Sequence, residues 1–151
     1  MKERYCALSL GILFLLIGIA GFIPSIVSLP TGAAPNIPLD APSITFDESF
    51  GNLFGLFATN YLHNAVHIAV GVLGIASFTS LSGARVFNRG FAIMYGLLAF
   101  MGLIPYANTL FGLMPIYGNN AWFNALTAAI AAYFGFLVPA ETKDIEASPS
   151  L

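Results

Sequence analysis

Leu53-Phe54-Gly55-Leu56 recurs 57 residues later as Leu110-Phe111-Gly112-Leu113, and Gly21-Phe22-Ile23-Pro24 recurs 81 residues later as Gly102-Leu103-Ile104-Pro105. Carrying the first offset forward sets His63 over Asn120, His67 over Asn124, Gly71 over Ala128 and Gly74 over Ala131. The offsets 81 and 57 differ by 24, the extra chain held by the first loop. The sequence is therefore one unit used twice, and each unit holds two long apolar runs.

Those runs lie near residues 6–27, 60–79, 87–106 and 122–138. Crossing a hydrocarbon core of about 30 Å takes roughly 20 helical residues. In lipid, only helices and closed barrels satisfy their own backbone groups. The runs lack the alternation of barrel strands, so they read as helices. Charged residues make up 8% of the chain and hydrophobic residues 58%, against about 25% charged in a soluble domain. The expected fold is all-α: an integral membrane four-helix bundle over residues 1–138, built from a tandem two-helix repeat.

Lys2 and Arg4 precede the first run, Arg85 and Arg89 lie between the second and third, and Lys143 follows the fourth. All five basic residues then share one side, which the positive-inside rule makes cytoplasmic, with both termini there. The first run is expected to stay uncleaved, because it repeats as the 91–105 run, which cannot be a signal segment. Lone Cys6 makes no intrachain disulfide and is assigned to packing. The outer loop 28–52 carries Pro30, Pro35, Pro38 and Pro42 and is expected to be extended and acidic. The polar tail 139–151 is expected to be disordered.

Helices in lipid associate through close packing of small residues. Each run has such a stripe: Ala7, Gly11, Gly18 and Gly21; Asn60, Asn64, His67, Gly71 and Gly74; Asn88, Ala92, Ala99 and Gly102; and Tyr117, Ala121, Asn124, Ala128 and Ala131. Steps of three and four keep each set on one face. These stripes form the expected inward seam, with an approximate twofold axis along the membrane normal.

Asn60, His63, Asn64 and His67 share one face at the outer end of the second run, and Asn119, Asn120, Asn124 and Thr127 hold the matching end of the fourth. Polar groups in lipid are costly unless paired, so the two sets should meet inside the bundle. The leading expectation is a hydrogen-bonded clamp. The alternative is a metal or tetrapyrrole held by His63 and His67. His63-Asn64-Ala65-Val66-His67 is similar to H-E-x-x-H, but Asn64 replaces the glutamate that acts as general base, which argues against a zinc hydrolase. Asp40, Asp47 or Glu48 from the outer loop would complete a metal site. A haem needs ligands on opposite faces, which two histidines one turn apart do not supply. Proton-linked or small-solute transport ranks third, since the middle of the bundle has no charged relay. Arg85 and Arg89 are read as lipid-headgroup anchors. The segments 53–57 and 110–114 are too short to span and are placed at the outer interface or dipping into it. No catalytic constellation, phosphate loop or nucleic-acid signal is present, so no enzyme activity and no resident cofactor are expected.

The string from Leu53 to Leu56, then Asn60-Tyr61-Leu62-His63-Asn64-Ala65-Val66-His67, then Gly71-Val72-Leu73-Gly74, resembles a bacterial membrane family known as domain of unknown function 4383. Ala84 to Gly90 and Asn108 to Leu113 fit the same pattern. The resemblance implies a small four-helix protein of a bacterial inner or related internal membrane, with no activity attached. The family often carries a further histidine near the start of the last helix, where this chain has Asn124. The expected role is structural or interactive: partners are the lipid bilayer and itself or another membrane protein.

Overall fold

The computed structural model describes residues 1–28 and 51–139. The proposed ligands Asp40, Asp47 and Glu48, the prolines of the outer loop and the 140–151 tail lie outside them. Over the described residues the fold is all-α, with four α-helices: α1 (Lys2–Ala20), α2 (Tyr61–Ser77), α3 (Leu81–Gly102) and α4 (Asn119–Ala132), the last extended by a π-helical turn over Tyr133–Leu137. Three short strands, β1 (Val27–Ser28), β2 (Gly51–Leu53) and β3 (Phe57–Thr59), form an antiparallel sheet that the sequence did not announce.

Helix ends follow local chemistry more than apolar length. α1 begins four residues before the apolar run and stops at Ala20, because the Pro24 ring clashes with a helical carbonyl four residues back. Pro105 ends α3 in the same way, at Gly102. Ser80 accepts a hydrogen bond from the Gly83 amide at 2.9 Å and starts α3 six residues earlier than expected. Arg85 therefore sits within the helix beside Arg89 and not in a loop. Among the described residues, one helix, α1, is long and apolar enough to cross a membrane, and α2 is a shorter apolar helix.

Every residue of the four small-residue stripes is buried. α1 and α2 meet at backbone contact: a Cβ on Gly71 would lie 2.5 Å from the Leu15 amide nitrogen, and one on Gly74 would lie 2.7 Å from Gly11 Cα. A Cβ on Gly21 would overlap the Asn64 side chain, and one on Gly102 would overlap the Ile116 carbonyl and approach Ala121. Gly102 and Ala121 are the offset partners of Gly21 and Asn64. Between the polar ends lies an aromatic layer, where Phe14 packs edge-on against His67, Phe91 and Tyr95 at centroid distances of 4.9–5.0 Å.

The two Leu-Phe-Gly-Leu segments are tight turns. Phe54 and Gly55 are left-handed in the first; Leu110, Phe111 and Gly112 are left-handed in the second. A bulky residue in that region is strained, yet both phenylalanines adopt it and project outward, 59% and 73% exposed.

Candidate functional site

At the end of the bundle where α1 stops and α2 starts, Asn60 caps α2 by accepting the His63 amide at 2.9 Å, which turns His63, Asn64 and His67 inward. Asn64 donates to the Gly21 carbonyl at 2.8 Å and accepts from Thr59 Oγ1 at 2.5 Å, locking the end of α1 to the start of α2. The Nε2 atoms of His63 and His67 lie 3.1 Å apart, so one ring donates N–H to the other. Asn120 donates to the Ala58 and Pro115 carbonyls at 2.7 and 3.2 Å. Asn124 shares a cavity of about 10 Å³ with His63, His67 and Tyr95. The structure thus brings Asn60, His63, Asn64, His67, Asn120 and Asn124 together, each of them buried, while Asn119 of the same expected set is exposed. Thr127 is turned to its own helix and donates to the Phe123 carbonyl at 2.8 Å.

Two bonds tie the halves across this layer. Asn60 donates to the Leu113 carbonyl at 2.9 Å, and Asn119 donates to the Leu56 carbonyl at 3.0 Å. Leu56 and Leu113 are the last residues of the two repeated motifs. Each half therefore offers the same carbonyl to an asparagine at the start of the other half's second helix.

A second polar layer, at the opposite end, escaped the sequence reading. Glu3 is 1% exposed and takes the Arg85 guanidinium at 2.7 Å, with the N-terminal ammonium at 3.3 Å. Asn88 donates to the Glu3 carbonyl at 2.9 Å. Arg4 donates to the Phe78 carbonyl at 2.6 Å, and Arg89 to the Gly135 carbonyl at 2.7 Å, each closing the C-terminal end of the second helix in its own half. Arg85 and Arg89, expected at lipid headgroups, thus have partners within the chain. Arg85→Gln should lower stability by about 1.5–3 kcal/mol, the worth of a hydrogen bond to a charged group. Arg85→Lys should restore only part of it, since an ammonium lacks the planar fork. Thermal melts in mild detergent measure both.

A family model matches residues 4–137. The chain belongs to the family described as Domain of unknown function (DUF4383). No curated protein and no solved structure matches it. The DUF4383 description carries no activity, so the chemistry rests on the site itself.

In this DUF4383 chain the His67 Nδ1 atom and the Tyr95 hydroxyl have no hydrogen-bond partner among the described residues, while the His63 ring faces the Pro115 carbonyl. The cavities bordering the histidines hold about 20 and 10 Å³, which leaves no room for a tetrapyrrole macrocycle. Two imidazole nitrogens could share a small ion. Among the described residues, no group of three or more His, Cys, Asp and Glu is assembled to complete its coordination. A ligating histidine also fixes its second ring nitrogen on a carbonyl, carboxylate or water; the Pro115 carbonyl is within reach of the His63 ring, and His67 Nδ1 has no protein partner among the described residues. The hydrogen bonds of this layer tie α1 to α2 and one half of the chain to the other.

Proposed function

We propose that this DUF4383 protein is an integral membrane four-helix bundle made of a duplicated two-helix unit, acting as a structural or interaction component of a bacterial inner-membrane assembly. The observation that carries the reading is an inverted surface. Large apolar side chains such as Leu16, Leu73, Phe100 and Leu126 are 60–64% exposed, while Asn60, Asn64, Asn88 and Asn124 are buried. Exposed apolar surface on this scale is foreign to a soluble monomer and natural against lipid. α2, with 17 residues, rises about 26 Å. A slightly short span is accommodated by local thinning of the bilayer.

Duplication is supported by the paired carbonyl–asparagine bonds, the shared glycine contacts and the common phase of the stripes. The same parallel orientation of the two units puts both termini on the cytoplasmic side. The clamp reading of the His63/His67 face is supported by the Asn64 and Asn120 bonds that flank the two rings and tie separate segments of chain together. Transport has no observation in its favour, because the aromatic layer around Phe14 closes the interior between the polar ends.

Cysteine labelling in a Cys6→Ala background tests the topology. In sealed cells, Asn119→Cys should react with an impermeant reagent and Ser82→Cys should not. Reaction of Ser82→Cys from outside refutes the orientation, and release of the protein by alkaline washing of membranes refutes the membrane reading.

A further inference from the structure

Two apolar grooves run along opposite flanks of the bundle, one between α1 and α4 of about 550 Å³ and one between α2 and α3 of about 260 Å³. Every residue lining the smaller groove stands 81 or 57 positions from one lining the larger. The grooves are therefore twins, and their differences are informative. Phe87 fills the smaller one where Cys6 leaves the larger one open. Lys2 stands at the mouth of the larger groove, and Gly83 holds the corresponding position in the other half. Lys2 is exposed and has no acidic partner among the described residues.

Length and charge identify the occupant. Along α1 the larger groove extends from Lys2 to Leu13, about 17 Å at the helical rise. One leaflet is about 15 Å deep, half of a hydrocarbon core of about 30 Å. The groove begins at the basic end of the bundle, where the cytoplasmic leaflet supplies anionic headgroups. We propose that the α1/α4 groove binds one acyl chain of an anionic phospholipid from the cytoplasmic leaflet, with the Lys2 ammonium on the lipid phosphate. The open space at Cys6 admits the chain, and Lys2 selects the headgroup. The proposal rests on the membrane reading above.

Alkaline washing of membranes is read first. Release of the protein removes the membrane reading and this proposal together. Protein that stays is purified in mild detergent and titrated with phosphatidylglycerol or phosphatidylcholine, and bound lipid is counted by native mass spectrometry. The expected result is one tightly held phosphatidylglycerol, retained in preference to phosphatidylcholine. Cys6→Phe, which copies the twin groove, should abolish that tight site. Lys2→Gln, at an exposed position that leaves packing untouched, should reduce the preference about fivefold, the effect of one basic residue near an anionic surface. Equal retention of the two lipids overturns the proposal while the membrane reading stands. So does a preference that both variants leave unchanged, or a dimer mass that Cys6→Phe dissolves, which would put a second copy in the groove.

Discussion

Gly71→Leu should leave no folded protein, while Gly96→Leu should keep stability within about 1 kcal/mol of the parent. Both are helical glycines in an apolar chain, so hydropathy does not separate them. Geometry does. A Cβ at Gly71 would press on the Leu15 backbone at 2.5–2.7 Å, whereas nothing lies within 4 Å of one at Gly96. A clash with backbone is not relieved by a rotamer change, so α1 and α2 would have to separate and lose the contact that joins them. Gly71→Ala should already cost about 3 kcal/mol, the upper range for overpacking. At Gly96 the gain in helix propensity, about 0.8–1 kcal/mol over glycine, sets the scale. Yield and melting temperature in detergent measure the contrast. Equal tolerance at both positions would mean that α1 and α2 do not touch there.

The second large effect concerns His67. His67→Leu should lower stability by about 1–3 kcal/mol, because it leaves the buried His63 nitrogen without its partner. His67→Asn should be milder, since the offset partner of His67 is Asn124, an amide in the same layer. A metal ligand behaves otherwise: an amide is a poor substitute for imidazole nitrogen, so both variants would then fail alike and a bound ion would be lost. Thermal melts of the two variants, together with metal analysis of the parent, separate a clamp from a coordination site.

Much of this was legible before the structure. Steps of three and four residues put the glycines, alanines and asparagines on one face, and that face is the buried one. The cluster from Asn60 to His67 and its counterpart at Asn120 and Asn124 could be placed because polar groups in an apolar run have few places to go. The helix ends could not be read from apolar length. A helix follows its caps and prolines and continues past the last apolar residue, so α1 takes in Lys2 and Arg4 and α3 takes in Arg85. Ser80, three residues before Gly83, was the available signal. Glu3 was missed because charges beyond the apolar runs were read only for their sign, which says nothing of the partner. The β1–β2 pairing joins Val27 to Leu53, too far apart in sequence for a local signal. The twin grooves went unread, although the offset of 81 sets Cys6 against Phe87 and Lys2 against Gly83.

The reciprocal bonds from Asn60 and Asn119 have a mechanical consequence. They fasten the two halves at one end, and the ion pair of Glu3 with Arg85 fastens them at the other. Two rigid bodies pinned at both ends lose the rocking by which repeat-built transporters expose a central site to alternate sides. Any tilt that opens one end must pull directly on the polar contacts there, and the packed rings around Phe14 leave no empty fulcrum between them. Contacts at both ends favour stiffness along the length, and under the membrane reading proposed above such a body suits a spacer or a docking post more than a moving part.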